Sequence, residues 1–97
     1  LMLYEGIIKF VKQAKLYNEK SDSEQSNTSN LRAQAIIQEL RATLDMTIDI
    51  SENFESLYTI MNERLVEANI HKDNAILDEV LELAIEFKDT WKEAMKL

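Results

Sequence analysis

The residues best placed to do chemistry are Glu63, Glu67 and His71, which recur every four positions in the second half of the chain. Carboxylates and an imidazole one helical turn apart can ligate a metal ion or act as acid and base. Carboxylate bundles that hold two metal ions, however, need Glu-x-x-His on two helices. This chain has one His, and Glu67 lies four residues before it. We therefore interpret His71 as a cap at the helix end or a solvated residue, and Glu63 and Glu67 as a solvated face.

Other catalytic chemistry lacks the residues that it needs. The chain has no Cys, so thiolate nucleophiles, thiolate metal sites and disulfides are all excluded. A Ser–His–Asp site would have to use the same His71. The single glycine, Gly6, excludes a glycine-rich phosphate loop. The sequence thus predicts neither an enzyme nor a bound cofactor, and binding to another protein becomes the expected function.

The composition narrows the kind of partner. The 18 acidic and 11 basic residues give a net charge of −7, and no stripe of Lys or Arg offers a footprint for nucleic acid. No apolar run approaches the roughly 20 residues that cross a bilayer, and the first residues lack the basic start of a signal peptide. A disulfide-free, acidic chain of 97 residues is expected to form one cytosolic domain, with no membrane insertion and no nucleic-acid partner.

Helical periodicity recurs in four segments, and the absence of Pro together with one Gly favours helices over sheets. The segments are predicted at about 1–20, 30–45, 51–70 and 74–96. The main apolar row includes Ile7 and Val11 in the first segment and Ala33, Ile37 and Leu44 in the second. It includes Phe54, Met61 and Leu65 in the third segment and Val80, Phe87, Trp91 and Ala94 in the fourth. Such helices with short connections predict an all-α, antiparallel up-and-down four-helix bundle over residues 1–97.

The connections are predicted from capping and turn residues. The ten polar residues Ser21–Asn30 are expected to form a loop or a frayed helix end, because Ser and Asn compete with the backbone for hydrogen bonds. The period breaks at Asp45–Ile48, and Asp49 with Glu52 reads as a capping box. Asp73 is the predicted N-cap of the last helix.

Three helices carry more apolar surface than one core-facing stripe requires. With Ile76 at 0° and about 100° per residue, Val80 and Phe87 fall within about 60° of it, whereas Leu81 and Ile85 fall at about 140° and 180°. The predicted partner-binding residues from all three helices are Leu1, Tyr4, Ile8, Leu31, Ala35, Ala42, Leu77, Leu81 and Ile85. Either they form a groove for an amphipathic partner helix, or neighbouring helices of the bundle cover them. On the groove interpretation, Leu81→Asp should weaken partner binding with little effect on stability.

Four stretches of the chain resemble the flagellin export chaperone family, FliS. They are Leu1–Phe10, Ala33–Leu40, Leu57–Asn69 and Asp89–Ala94, in the order and spacing of the family's four helices. The resemblance implies a cytosolic bundle that binds the otherwise disordered C-terminal region of flagellin. It would prevent premature polymerisation before secretion, with components of the export gate as further partners. The resemblance also implies a segment upstream of Leu1. This agrees with the apolar helical pattern, which is already present at Leu1 with no N-capping residue before it.

Two alternatives remain open at this stage. A helical adaptor module without a flagellin client would dimerise through the same apolar rows. A metal-binding or catalytic bundle would need ordered ligands among Glu63, Glu67 and His71.

Overall fold

The structure is a computed structural model that describes the backbone of residues 2–43 and 49–95 and the side chains of residues 3–42 and 55–90. Within these ranges every regular element is an α-helix. The helices are α1 (Met2–Glu19), α2 (Ser23–Thr43), α3 (Asp49–His71) and α4 (Asn74–Met95). The predicted all-α fold class is therefore confirmed. The predicted break at Asp45–Ile48 and the side chains of the capping box at Asp49 and Glu52 lie outside the described residues.

Each helix packs against two others, so the four helices form a closed square. α1 lies between α2 and α4, and α3 packs against the same two helices on the opposite side. Two salt bridges show that α1 and α4 run antiparallel, since Lys15 of α1 pairs with Asp78 of α4 while Glu5 pairs with Lys88, 3.7 Å away. The bundle measures 43 × 22 × 18 Å. This is the predicted up-and-down arrangement of four helices.

A continuous apolar core runs through the bundle and draws on all four helices. Its buried members are Tyr4, Ile7, Val11, Ala14, Ala33, Ile37, Tyr58, Met61, Leu65, Ala68, Leu77, Val80 and Ala84. Burial of each large aliphatic side chain among them stabilises the fold by roughly 1.5–3 kcal/mol. The predicted core residues Leu44, Phe54, Trp91 and Ala94 fall outside the described side chains.

Gly6 of α1 lies against the side chain of Ile36 of α2. A Cβ atom at this position would lie 2.9 Å from the Cδ1 atom of Ile36. Glycine inside a helix costs roughly 0.5–1 kcal/mol relative to alanine. An alanine at this position would require the end of the Ile36 side chain to shift.

The prediction of a loop at Ser21–Asn30 is wrong, because α2 already begins at Ser23. Asp22 caps this start, and its Oδ1 accepts a hydrogen bond from the backbone N–H of Gln25 at 3.1 Å. The equivalent prediction for α4 is confirmed, since the Oδ1 of Asp73 accepts from the N–H of Ala75 at 2.9 Å. Both caps satisfy a backbone donor that the first helical turn would otherwise leave unpaired.

Buried hydrogen bonds hold the polar first turns of α2 inside the bundle. Ser26 and Asn30 are each 1% exposed. The Ser26 hydroxyl donates to the side-chain oxygen of Asn18 on α1, and the Asn30 amide donates to the carbonyl of Leu65 on α3 at 3.0 Å. A buried polar group that is hydrogen-bonded avoids the cost of desolvation. The polar residues Ser26 and Asn30 of α2 therefore contact two neighbouring helices, α1 and α3.

Two short corners join α1 to α2 and α3 to α4. At each corner a residue other than glycine adopts the left-handed conformation, Ser21 with φ 57° and Lys72 with φ 50°. At the first corner the N–H groups of Ser21 and Asp22 donate to the carbonyls of Asn18 and Tyr17. This pair of bonds is the Schellman motif that commonly ends a helix.

Replacement of Ser21 by glycine is expected to stabilise the bundle. A Cβ in the left-handed region costs about 1 kcal/mol, and the greater freedom of glycine in the unfolded chain offsets part of the gain. We expect a net increase of about 0.5 kcal/mol in the free energy of unfolding, seen as a higher midpoint in thermal unfolding followed by circular dichroism. The control Ser23→Gly lies in the helical first turn and should lower the midpoint. A lower midpoint for Ser21→Gly would contradict the expectation.

Two core tyrosines connect the diagonally placed helices α1 and α3. The hydroxyls of Tyr4 and Tyr58 are hydrogen-bonded to each other, and each residue is 3% exposed. Burial raises the pKa of both hydroxyls above the ordinary value of 10, because a phenolate would lose its hydration. The hydrogen bond with Tyr4 raises the pKa of Tyr58 further. The pair is therefore held neutral inside the bundle.

Candidate partner-binding surface

The candidate catalytic residues lie on the surface. Glu63, Glu67 and His71 are all exposed on α3, and His71 is its last residue. Glu67 pairs with Arg64 of the same helix at 3.2 Å. Within the described residues no three His, Asp or Glu side chains come together as a group that could hold a metal ion. The interpretation of Glu63 and Glu67 as a solvated face agrees with this exposure.

The first candidate binding surface is the outer side of the seam between α2 and α3. We call it the α2–α3 face and define it by its exposed apolar residues Leu31, Ala35, Ala42, Val66 and Ile70. Leu31 is 50% exposed, Val66 39% and Ile70 71%. These fractions are high for large apolar side chains. Three predicted residues, Leu31, Ala35 and Ala42, are thus brought together on one face.

Polar bonds across the seam fix the position of the two helices beneath this face. Asn69 donates to Asn27 at 2.7 Å, and Asn30 donates to the carbonyl of Leu65. Because Leu31 follows Asn30 and Val66 follows Leu65, both apolar side chains lie beside this anchor. At the opposite end Arg41 and Glu55 form an ion pair at 2.9 Å.

The α2–α3 face carries mostly uncharged side chains between its two ends. Between the Asn27–Asn69 and Arg41–Glu55 pairs the two helices carry the uncharged residues Leu31, Gln34, Ala35, Gln38, Thr59, Asn62 and Val66. The exposed Glu63 lies seven residues before Ile70 and therefore on the same side of α3. A cavity of about 380 Å³ opens at the end of the face that carries the Arg41–Glu55 pair. Gln38, Arg41, Ala42 and Glu55 line it. Depletion of charge is a feature of protein-interface cores. In a chain with 30% charged residues, this face has the composition of a docking surface.

A second group of predicted residues lies on the opposite side of the bundle. Ile8 of α1 and Leu81 and Ile85 of α4 form this α1–α4 face. Ile85 is 41% exposed, whereas Ile8 and Leu81 are half-buried and pack against the core. α1 and α4 are neighbours on the side of the square that faces away from the α2–α3 seam. The predicted residues therefore form two separate surfaces and not one continuous groove.

Two of the predicted residues belong to the core. Tyr4 is 3% exposed and Leu77 is 1% exposed, so the prediction that they lie outside the core is wrong. The true centre of α4 lies between Val80 and Leu77, and Ile76 sits to one side of it. Leu1 lies outside the described residues. Because Leu81 packs against the core, we no longer expect Leu81→Asp to leave stability unchanged.

Val66 and Ile70 were absent from the predicted partner-binding residues. Both are apolar, one turn apart, and fall at about 140° and 180° from the core residue Met61 on α3. This row was available in the sequence by the same criterion that selected Leu81 and Ile85. It was missed because α3 has an unbroken core row that accounted for its apolar content.

Comparison with known proteins identifies the group to which this bundle belongs. A family model described as flagellar protein FliS matches residues 1–97. The chain belongs to the FliS family. It is 42% identical over 96 residues to the flagellar secretion chaperone FliS of Bacillus subtilis (strain 168), an alignment that covers 99% of this chain and 72% of that protein. The flagellar secretion chaperone FliS of Escherichia coli (strain K12) is 30% identical over 97 residues, covering 97% of this chain and 71% of that protein.

Membership of the FliS family fixes the broad function. The chain is a flagellar secretion chaperone and not an enzyme, so the alternative of a catalytic bundle is wrong. The flagellar secretion chaperone FliSB of Pseudomonas aeruginosa is also similar, at 34% identity over 92 residues that cover 93% of this chain and 73% of that protein. In the part of the chain that the structure describes, no helix is long and apolar enough to cross a bilayer.

Proposed function

We propose that this FliS-family bundle binds the C-terminal region of flagellin in the bacterial cytosol and prevents its polymerisation until secretion. The α2–α3 face carries the proposal. It offers large apolar side chains at Leu31, Val66 and Ile70, together with the small residues Ala35 and Ala42. An amphipathic helix docks through apolar anchors at such a spacing, and small residues allow its backbone to come close.

A disordered client explains why an open surface is needed. A segment that folds on binding must offset the entropy lost when it becomes ordered, and it does so by burying a large apolar area. The bundle is 43 Å long, so at a rise of about 1.5 Å per residue one face accommodates a helix of several turns. The burial of these apolar groups would also remove them from self-assembly of the client.

The test compares two substitutions that are matched in type and exposure. Leu31→Asp puts a charge on the α2–α3 face, whereas Leu16→Asp puts one on α1, outside both candidate faces. Leu31 is 50% exposed and Leu16 is 47% exposed. Neither should change the free energy of unfolding by more than about 1 kcal/mol, because both side chains lie on the surface.

Leu31→Asp is expected to weaken binding of a purified flagellin C-terminal fragment at least tenfold, about 1.4 kcal/mol, in calorimetric titration. Docking would then bury an unpaired carboxylate. Leu16→Asp should bind the fragment as the wild type does. Unchanged binding by Leu31→Asp would reject the α2–α3 face, and an equal loss in both variants would show that the effect is not local.

Self-association through the same face is the competing function. An exposed apolar surface would also suit a second copy of the chain. Sedimentation of the chain with and without the flagellin fragment separates the two. A monomer that forms a 1:1 complex supports the chaperone function, whereas a dimer that the fragment does not disrupt supports the adaptor module. Contacts with export-gate components would follow client binding.

A further inference from the structure

The side of the bundle between α3 and α4 carries a third surface, which we call the α3–α4 face. It contains Ile60, which is 46% exposed, and a cavity of about 380 Å³ that Phe87 lines together with the polar residues Glu86, Asp89 and Thr90. The rings of Tyr58 and Phe87 lie 6.5 Å apart. This contact places the cavity on α4 at the same level of the bundle as Ile60 on α3. Ile60 and the Phe87 ring are therefore the apolar groups at this level of the face.

The charge around Ile60 and the cavity is strongly one-sided. The exposed carboxylates around these positions include Glu67, Glu79, Glu82, Glu86 and Asp89. Among the described Lys and Arg side chains, the face carries Arg64, which lies 3.2 Å from Glu67 and 3.8 Å from Glu79. Lys88 points across α4 to Glu5 of α1 at 3.7 Å and leaves this face. His71 is exposed at the far end of α3. Much of the chain's net charge of −7 is thus concentrated here.

We propose that the α3–α4 face docks a cationic amphipathic helix of another protein. An apolar side chain of that helix would enter the cavity over Phe87 and contact Ile60. Lys and Arg residues one turn to either side would pair with Glu79, Glu82 and Glu86. Apolar contact supplies affinity, and complementary charge supplies steering and register. Nucleic acid and anionic membranes are repelled by the same carboxylates.

This partner is distinct from the client proposed above. The α2–α3 face offers mainly uncharged side chains, whereas the α3–α4 face selects positive charge. The two faces share α3 but use different sides of it, with Val66 and Ile70 on one and Ile60 and Glu67 on the other. The second partner is therefore proposed independently of the first.

The test uses a synthetic helical peptide with Leu on one side and Lys on the other, titrated into the whole chain by fluorescence anisotropy. The triple variant Glu79→Gln/Glu82→Gln/Glu86→Gln removes three charges from the face. The matched control Glu19→Gln/Glu24→Gln/Glu39→Gln removes three charges from exposed positions elsewhere. Both variants change the net charge equally, so only the position of the charges differs.

We expect the first triple variant to weaken peptide binding at least tenfold and the control to weaken it less than twofold. Ile60→Ser should also weaken it several-fold, and binding to the wild type should fall as salt rises. Flagellin-fragment binding should be unaffected by Ile60→Ser. Equal loss in the two triple variants, or wild-type binding by the first of them, would overturn the proposal.

Two further probes examine the helical and apolar parts of the proposal. A peptide of the same composition, scrambled so that Leu and Lys no longer segregate, should bind at least tenfold more weakly. Spermine should compete only weakly, because it carries charge without an apolar side. Binding of the scrambled peptide with equal affinity, or full competition by spermine, would show a general attraction for polycations and overturn a helix-specific site.

Discussion

Val80→Asp is expected to abolish the folded bundle. Val80 is 0% exposed and belongs to the core, where all four helices meet. An aspartate there must either bury an unpaired carboxylate or take up a proton, and each costs several kcal/mol. A domain of this size has a total stability of only about 5–15 kcal/mol. Circular dichroism should therefore show no cooperative thermal transition for this variant.

The matched control for Val80→Asp is Ile85→Asp, five residues further along α4. Ile85 is 41% exposed, so the same new charge remains in water. Its free energy of unfolding should change by less than about 1 kcal/mol. A cooperative transition near the wild-type midpoint for Val80→Asp would show that the core is not where we place it. Titration of the Ile85→Asp variant with the flagellin fragment also shows whether the client reaches the α1–α4 face.

The ends of a helix could be predicted where a capping residue lies next to the apolar row in the sequence. The cap Asp73 and the start of α4 at Asn74 were found because an Asp before an apolar row satisfies the first backbone donors. The square arrangement also followed from four amphipathic segments with short connections. These features depend on residues close together in the chain, so the sequence alone contains them.

The start of α2 could not be predicted because its polar residues bind partners distant in sequence. Ser26 contacts Asn18, and Asn30 contacts Leu65, 35 positions away. Periodicity analysis treats Ser and Asn as solvated, whereas here they are satisfied inside the bundle. The cap at Asp22 was present in the sequence, three residues before Gln25. It was overlooked because no apolar row follows it at once.

The binding surface was only partly predictable, since a helical wheel gives angles within one helix and not the positions of its neighbours. Leu31, Ala35 and Ala42 were predicted and are exposed. Leu77 was assigned to the same class because Ile76 was taken as the centre of the core row. Among the described side chains of α4, Leu77, Val80 and Ala84 are buried, so the core-facing direction of the helix differs by several tens of degrees from the predicted one.

Loss of stability above pH 10 is the second large effect that we expect. In the unfolded chain a tyrosine ionises with a pKa near 10, whereas burial raises the pKa of Tyr4 and Tyr58 in the folded bundle. Above pH 10 the unfolded state therefore binds fewer protons than the folded state, and the free energy of unfolding falls as pH rises. The slope is at most about 1.4 kcal/mol per pH unit for each tyrosine. Below pH 10 both states keep these protons, so the pair adds no pH dependence there.

Urea unfolding at a series of alkaline pH values measures this slope, and the double variant Tyr4→Phe/Tyr58→Phe assigns it. The double variant removes both hydroxyls of the hydrogen-bonded pair. A single substitution would instead leave one buried hydroxyl without the other. Its free energy of unfolding should decline less steeply above pH 10 than that of the wild type. Tyr17→Phe removes a hydroxyl outside the pair and serves as the control. If the wild type and the double variant lose stability with the same slope, the buried pair does not govern alkaline unfolding.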